Sequence, residues 1–356
     1  MNPDWKAFLQ DNGAEFVTHT NESIETQQLV SFGNPELEMQ ISAQDVLLAN
    51  SSERGLIKVN GADAESFLQN QLTNDIRNVN DTTHQESAWC SPKGRIIANF
   101  QIFKKADNFY LALSADLIPH VIKKLRMYVM MSKVVIEDVS ASMIHFSFGG
   151  KQADSLMQNI LGVSVSADTE TISHGTSTLL RSVISDSDNF SRFDIFIEDL
   201  DEAKSIWSQC QQVASAVSGN GMRYLNILSG KPEITAASSE AWIPQMVNYI
   251  HVNGVDFKKG CYPGQEVVAR LNYLGKTKRR MYRIEIDTNQ QPEVGAEIKS
   301  PNDAQAGKIL NAVFSSDKKI NALAVLKIAD ANNSLTLATN DANISLLDLP
   351  YGVDDE

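Results

Sequence analysis

The residues best suited to chemistry surround one cysteine in the last third of the chain. The segment 257–270 reads FKKGCYPGQEVVAR, so Cys261 stands among two glycines, a proline and two lysines. Glycine and proline fix an unusual backbone path, and Pro263 is tolerated in the first turn of a helix that would continue to Arg270. A thiol at the positive end of such a helix is favoured as a thiolate. The pattern therefore predicts a reactive or ligating thiol, against the plainer interpretation of a cysteine packed under a tight turn.

The other candidate chemical groups are scattered. The chain has three cysteines, Cys90, Cys210 and Cys261, which are odd in number and far apart, so neither a disulfide framework nor a resident metal site is predicted. Walker loops, GxGxxG turns and zinc-ligand spacings do not occur in the sequence, which leaves nucleotide, dinucleotide and zinc chemistry without support. This cysteine usage fits a reducing compartment, and we expect a cytoplasmic protein.

Charge is divided unevenly along the 356 residues. With 31 Lys and Arg against 44 Asp and Glu, the formal net charge is −13. The windows 88–136 and 258–283 nevertheless carry +6 and +7, which leaves −26 for the remainder. The basic run 276–283 contains a single aromatic residue, Tyr282, so base stacking is poorly supported. We expect a small anion or an acidic protein partner in preference to direct RNA binding.

The composition indicates a globular protein outside the membrane. Hydrophobic residues make up 42% and charged residues 21% of the chain. No apolar run approaches the roughly 18 residues that span a bilayer, and the N-terminus lacks the basic-then-apolar order of a signal peptide.

The pattern of elements indicates an α+β fold. A strand at 108–113 leads into a helix with an apolar stripe over 117–129, and a strand at 192–197 leads into a second such helix over 203–217. Two related halves are predicted, each an antiparallel sheet backed by helices. Six short alternating runs then follow, which predict a small β-barrel: 280–286, 297–299, 307–314, 322–328, 335–338 and 344–346.

These elements divide the chain into four parts. Residues 1–45 are predicted to form an extended or irregular N-terminal arm, and residues 46–240 two interlocked α+β domains. Residues 241–276 carry the cysteine segment, and residues 277–356 form the barrel.

The stretch KGCYPGQE at 259–266, hereafter the Cys motif, resembles the hallmark of the YgfZ family, the folate-binding relatives of the glycine-cleavage T-protein. Other pieces of the chain carry the same resemblance: GAD at 61–63, FLQ at 67–69, LTND at 72–75, CSPKGR at 90–95 with Asn99, IPQ at 243–245 with Asn248, and LPY at 349–351. The resemblance extends from about residue 47 to the end.

The resemblance implies a T-protein-like fold, in which two related α+β domains and a small C-terminal β-barrel surround a central channel that binds tetrahydrofolate or another folate. It also implies support for the assembly or repair of iron–sulfur proteins, including radical enzymes that thiolate tRNA. Cys261 would then be a transient ligand to an iron–sulfur cluster, or a thiol that resolves a damaged or mixed-disulfide state. The sequence does not choose between these roles.

The resemblance also assigns roles to individual residues. Around Cys261, four side chains would orient the loop or bind the ligand: Lys259, Gln265, Glu266 and Arg270. Gly260 and Gly264 would permit the loop's backbone. The folate would be held by Arg54, Thr73, Asn74, Asp75, Met222, Gln245 and Asn248, with Arg54 and Met222 standing where some members pack the pterin against tryptophan.

One departure bears on enzymatic activity. Aminomethyl transfer needs an acid near the folate amine, and the positions of the T-protein's paired aspartates hold Ala98 and Asn99. We therefore expect no aminomethyltransferase activity. A folate-dependent one-carbon transferase stays as the alternative, and an RNA- or protein-binding module without catalysis is the third possibility.

Overall fold

The computed structural model describes residues 1–21, 24–35, 38, 46–51, 53–163, 165, 170–185, 189–316 and 319–353. Within these residues the helices are α1 (Pro3–Asp11), α2 (Ala64–Gln69), α3 (Ile118–Val129), α4 (Ala153–Leu161), α5 (Leu200–Gln211), α6 (Gly219–Leu228) and α7 (Gln265–Leu274). The strands of the two halves are β1 (Glu15–Asn21), β2 (Ile24–Ser31), β3 (Leu47–Asn50), β4 (Arg54–Asn60), β5 (Gln85–Cys90), β6 (Ile96–Lys105), β7 (Asn108–Ser114), β8 (Val135–Asp138), β9 (Ile144–Lys151), β10 (Thr171–His174), β11 (Ser177–Ser185), β12 (Phe190–Ile197) and β13 (Ser215–Val217). The strands that follow are β14 (Arg279–Asp287), β15 (Glu297–Ser300), β16 (Asp303–Ser316), β17 (Lys319–Lys327), β18 (Leu335–Leu337) and β19 (Asn343–Leu347).

The first half contains an antiparallel sheet in the order β5-β6-β7-β4-β8. Helix α3 packs on it through the predicted stripe, since Val121, Ile122 and Leu125 are buried in the same core as β6 and β7. Tyr128, at the end of that stripe, is about half exposed. The strand–helix unit predicted here is confirmed.

The second half contains a six-stranded sheet in the order β10-β11-β12-β9-β3-β13. Helix α5 covers it with Ile206, Trp207 and Cys210 buried, and the Asp199 side chain caps the helix by accepting a hydrogen bond from the Glu202 amide at 2.8 Å. The sheet differs from the expected antiparallel one at its edge, where β13 pairs with β3 in parallel.

The N-terminal region is not the predicted extended or irregular arm over the residues described. The Asn2 side chain caps α1, which places Trp5 and Leu9 on one buried face. Trp5 stacks on Phe146 with ring centroids 5.9 Å apart and meets the edge of Trp207 at 5.5 Å. The sequence pattern did not predict this helix. Only two of its nine residues are buried, so its apolar stripe is too short to stand out from the polar composition.

The barrel predicted at the end of the chain is confirmed, with all six strands closed in the order β14-β17-β16-β15-β18-β19. Residues alternate along its strands as the pleat requires. On β17, Ala322 and Ala324 fill the barrel interior, whereas Leu323 and Val325 face outward. The outward pair belongs to the core of the first half, so the barrel is packed into the rest of the molecule.

The two halves also pack against each other directly. Their contact is a separate apolar cluster that includes Leu56 and Phe103 from the first half and Leu180 and Phe196 from the second. Among the described residues, no helix has both the length and the apolar character needed to cross a membrane.

Candidate functional site

Cys261 lies in the loop before α7, and its side chain is exposed. Cys90, at the end of β5, and Cys210, on α5, are both buried. Burial raises the pKa of each of these two thiols to about 12. A thiol with that pKa stays protonated near neutral pH. Of the three cysteines, Cys261 is therefore the one that can attack or ligate.

Lys259 anchors the Cys motif to the first half. Its side chain is 6% exposed, and Nζ donates hydrogen bonds to the carbonyl oxygens of Gln69 at 2.7 Å, of Leu72, and of Asn74 at 3.1 Å. An ammonium has three donors, and all three are used by carbonyls at the last residue of α2 and in the turn that follows it. Burial lowers the pKa of Lys259 to about 8, which leaves it charged at neutral pH. The amine is placed to orient the loop and has no donor left for a ligand.

The turn after Cys261 is pressed against the loop that follows β5. Gly264 has a φ of +82°, and a Cβ there would lie 2.4 Å from the Ser91 carbonyl oxygen and 2.7 Å from the Cα of Gly94. Only glycine fits this contact. Gly260 has no such requirement: a Cβ on it would meet none of the described atoms within 4 Å. Glycine is thus needed at Gly264, and the same expectation for Gly260 is wrong.

Gln245 and Asn248 bind the two elements that follow the Cys motif. The Gln245 Nε2 donates to the Val268 carbonyl in α7 at 2.7 Å. Asn248, which is 1% exposed with a φ of +54°, donates from Nδ2 to the Met281 carbonyl in β14 at 2.9 Å. The two amides connect α7 and the barrel to the same short turn.

Thr73, Asn74 and Asp75 lie against the loop that approaches Cys261. The Thr73 hydroxyl donates to the Gly254 carbonyl at 2.7 Å, and Asn74 Nδ2 donates to the Asn253 carbonyl at 2.7 Å. Asp75 accepts from its neighbour Arg77, and that hydrogen bond lowers the pKa of the Asp75 carboxyl to about 2. Most of these groups therefore serve the scaffold of the Cys motif.

The remaining residues predicted beside Cys261 are on α7. Gln265 is its first residue, and Glu266 and Arg270 are exposed on one face. That face borders a groove of about 600 Å³.

A small polar cavity lies between the two halves, at the predicted centre of the channel. Its volume is about 20 Å³, which suits one water molecule and is far below that of a small-molecule site. Its charged and amide lining is Arg54, Glu86, Asn99, Arg192, Asn226, Lys231 and Glu233. A pterin ring does not fit this space.

Arg54 and Met222, the two residues predicted to pack the pterin, lie in different surroundings. Arg54 lines the small cavity, where Nη2 donates to the Ala112 carbonyl at 3.0 Å and Nε is buried with no hydrogen-bond partner in the described chain. Met222 is 1% exposed and packs in an apolar cluster with Val217 and Leu225. Helix α6 turns the Met222 side chain into this core, and its contact with a pterin stays a prediction.

A wide cleft of about 1390 Å³ opens next to the small cavity. Ser114 and Glu233 line both spaces. Helix α1, the turn 114–116 that precedes α3 and the barrel loop 291–294 form its walls, and Arg223 pairs with Glu53 in its lining at 2.6 Å. On volume, this cleft has room for a whole folate.

Ala98 and Asn99 offer no acid. Ala98 is buried in the core of the first half. Asn99 donates from Nδ2 to the Pro232 carbonyl at 2.8 Å and accepts from the Ile234 amide at 2.9 Å, so both ends of its amide are engaged.

Charged residues that sequence reasoning missed meet at the small cavity. Lys231 pairs with Glu86 at 3.3 Å, and Arg192 is bound through Nε by both carboxylate oxygens of Asp194 at 3.0 and 3.1 Å. The arginine holds the pKa of Asp194 well below its usual value, against the effect of burial. A signal was available for Arg192 and Asp194, since they alternate with apolar residues in the strand RFDIFI.

The two basic windows meet at the Cys motif. Gly94 touches Gly264 and Val267, which brings the exposed Lys93 beside the start of α7. Over the part of the chain that the structure describes, no group of three or more His, Cys, Asp or Glu side chains could hold a metal ion.

Known proteins resemble this chain in sequence over most of its length. The GCVT N-terminal domain matches residues 8–181. Proteins named tRNA-modifying protein YgfZ are 29% identical in Enterobacter sp. (strain 638), over 86% of this chain and 94% of that one, and 28% identical in Yersinia enterocolitica, over 87% and 93%. The protein of that name from Escherichia coli O157:H7 is 29% identical over 84% and 91%.

The fold has a known counterpart as well. The aminomethyltransferase T of the glycine cleavage system from Bartonella henselae superposes with a TM-score of 0.69 over 98% of this chain and 97% of its own, at 14% identity. That likeness concerns the fold alone, and it confirms the predicted T-protein-like architecture. The chain is therefore a relative of the proteins named tRNA-modifying protein YgfZ, built on the fold of aminomethyltransferase T, as the residues of its Cys motif indicate.

Proposed function

We propose that this chain maintains iron–sulfur enzymes through the thiol of Cys261, and thereby supports tRNA modification. The name shared by its relatives supports the link to tRNA. The observation that carries the proposal is a single exposed thiol on a loop fixed from two sides, by the Lys259 amine and by the contact of Gly264 with Gly94.

Two roles are open to the thiol. As a thiolate, Cys261 would donate one ligand to a cluster or iron that is the cargo, and the client would supply the other ligands. Alternatively, the Cys261 sulfur would attack a client's mixed disulfide, form a new S–S bond with one sulfur, and release the other as a thiolate. A cellular thiol would then free Cys261 by a second exchange.

We further propose that the wide cleft beside the small cavity binds a reduced folate. The cleft offers volume and a mixed polar lining, whereas Met222 packs in an apolar cluster and does not line it. Lys6 and Arg223 are the basic side chains that would pair with the carboxylates of a folate tail, in a lining that also carries Glu53, Asp116, Glu233 and Glu293. Arg223 pairs with Glu53. A bound reduced folate supplies a one-carbon carrier, and the residues named here would bind and orient it.

One observation keeps aminomethyl transfer as a second candidate. Glu86 places a carboxylate at the small cavity, paired with Lys231 at 3.3 Å. Asn99 opposes this candidate, because its amide is engaged by backbone groups and cannot ionise. We expect the purified protein to show no folate-dependent aminomethyl transfer, and measurable transfer that is lost in Glu86→Gln would reverse this choice.

The thiol is tested in cells that lack the protein. We expect Cys261→Ala to leave iron–sulfur enzyme activities and thiolated tRNA low together, and Cys210→Ala to restore both to at least half of the wild-type level. Full rescue by Cys261→Ala would defeat the proposed role. Loss of thiolated tRNA with intact iron–sulfur enzymes would instead favour direct chemistry on tRNA.

The folate is tested by titrating the purified protein with tetrahydrofolate. Ala237 is exposed and lines the wide cleft, so Ala237→Trp should weaken binding at least tenfold by filling it. Ala236→Trp, at an exposed neighbour that is not among the residues lining the cleft, is the control. No heat or fluorescence change at millimolar tetrahydrofolate would remove the folate from the proposal.

A further inference from the structure

Helix α7 borders an apolar groove that the thiol chemistry does not use. The groove has a volume of about 600 Å³. Its apolar lining is Ile243, Met246, Val267, Leu271 and Leu274. Leu274 is 84% exposed and Val267 40% exposed, an exposure that costs free energy in water and marks binding surfaces when the side chains are contiguous.

The rim of this α7 groove is basic. Arg270, Lys276 and Lys278 border it, with Glu266 as the acid among its lining residues. All four side chains are exposed. Within the described residues, none of the three basic side chains forms an ion pair. The rim is therefore free to pair with an acidic partner, in a molecule whose charge elsewhere is strongly negative.

The apolar lining residues, which form the floor of the groove, decide which kind of anionic partner fits. RNA would satisfy the basic rim, but its phosphates gain nothing from an aliphatic floor, and the groove lining has no aromatic side chain for base stacking. The chain's own acidic residues 354–356, Asp-Asp-Glu, lack apolar side chains to cover the floor. A protein segment that carries both apolar and acidic side chains matches floor and rim together.

We propose that the α7 groove binds a short amphipathic, acidic segment of the client protein. Its apolar side chains would cover the floor, and its carboxylates would pair with Arg270, Lys276 and Lys278. Because the Cys motif leads directly into α7, a client held here is held next to Cys261. The inference rests on the proposed function, to which it adds the means of client recognition.

A designed peptide tests the groove directly. The probe is a fluorescein-labelled 15-residue helix former with leucines at i, i+3, i+4 and i+7 and glutamates elsewhere, and its counterpart carries lysine in place of glutamate. We expect the glutamate peptide to bind the full-length wild-type protein. Its affinity for the Leu274→Glu and Arg270→Glu variants should be at least tenfold lower than for wild type. Asn272→Glu is the matched control, since this exposed residue is on the same helix and is not among those lining the groove.

Three results would overturn the proposal. They are equal binding of the lysine peptide, unchanged binding in Leu274→Glu, and tRNA that displaces the glutamate peptide and binds more tightly at the same salt concentration. Circular dichroism of each variant checks that its fold is retained.

Cys261→Ala separates this proposal from the proposed function. It should bind the glutamate peptide within twofold of wild type, because the thiol does not line the groove. If Cys261→Ala supports iron–sulfur enzymes fully while Leu274→Glu still loses the peptide, the proposed function fails and the groove stands. If Cys261→Ala is inactive while Leu274→Glu binds the peptide normally, the groove fails alone.

Discussion

At the residue scale, three polar side chains near Cys261 donate hydrogen bonds to backbone carbonyls of the surrounding scaffold. Lys259 binds three carbonyls, Gln245 binds α7, and Asn248 binds β14. The loop is thereby fixed while its thiol stays in solvent. Within the Cys motif, Lys259 is the residue that holds the loop, whereas the Tyr262 hydroxyl is buried without a hydrogen-bond partner among the described residues and Glu266 is exposed.

Thiol labelling should report this arrangement. We expect iodoacetamide to modify one cysteine of the native protein rapidly, and none rapidly in Cys261→Ala. Cys90 and Cys210 should react only after denaturation, because burial protects them and raises their pKa to about 12. Mass spectrometry of the labelled peptides identifies the modified residue, and fast native labelling of Cys90 would contradict the structure.

Lys259→Met should destabilise the fold and change its pH dependence. Removing the amine leaves three carbonyls without a donor, at a cost of about 1–3 kcal/mol. Because the pKa of Lys259 is lowered from 10.5 to about 8 by burial, the unfolded state binds more protons between these two values. Stability contributed by Lys259 therefore rises with pH across that window, by up to about 3 kcal/mol.

Urea unfolding of wild type and Lys259→Met at several pH values from 7 to 10.5 measures this difference. Lys258→Met is the control, since Lys258 is exposed and should change the free energy of unfolding by about 0.5 kcal/mol or less. A gap between wild type and Lys259→Met that does not widen as pH rises would contradict the prediction.

Sequence reasoning located the Cys motif but did not predict which contacts its side chains make. Spacing predicts that Lys259 lies near Cys261, yet a lysine can turn toward solvent or into the core, and only the packing of α2 decides this. Glu86 and Arg192 meet at the small cavity through the pairing of the two halves. Local pattern cannot predict such an encounter between distant segments.

At the element scale, the contact between Gly264 and the loop after β5 positions the whole Cys motif. Strand and helix periods predicted both halves and the barrel strands, because these elements bury one regular face. The helix expected over 203–217 ends at Gln211 and is followed by strand β13. Pro263, expected in the first turn of α7, precedes that helix, which begins at Gln265. Helix α1 was missed because its buried stripe is narrow, and the contact of Gly264 with Gly94 was missed because it joins two irregular segments.

Gly264→Ala should be costly, and Gly260→Ala should not. A Cβ at Gly264 meets backbone atoms at 2.4 and 2.7 Å in a left-handed conformation, which predicts a loss of about 2–5 kcal/mol. Gly260→Ala meets no described atom within 4 Å and should stay within about 0.5 kcal/mol of wild type. Urea denaturation compares the two, and equal stabilities would show that the contact is not tight.

At the scale of the whole molecule, the barrel shares a core with the first half. Met281, Leu323 and Val325 of the barrel are buried in one cluster with Trp242 and Val247. The short runs of alternating apolar and polar residues predicted the barrel as a separate domain, because the residues that fill its interior recur at every second position. Its outer apolar face could not be assigned to a partner from pattern alone.

Barrel and halves should therefore unfold together. We expect one calorimetric transition for the intact chain, and a chain cut after residue 276 should aggregate because the first half's core is then uncovered. A matched control is Glu285→Gln, which alters an ion pair with Lys319 on the barrel and leaves the shared core intact. Two separate transitions, or a soluble folded 1–276 fragment, would contradict this prediction.

The second half's sheet joins strands that lie far apart in the chain, which affects the order in which they are buried during synthesis. Helix α1 and strand β3 precede the first half in the chain, yet their partners are β9, β13 and Trp207. At a ribosomal rate of about 5–20 residues per second, strand β3 waits on the order of 10–30 s for its parallel neighbour β13 to emerge. The first half can fold in the meantime, so α1 and β3 are buried later than the first half that follows them in the chain.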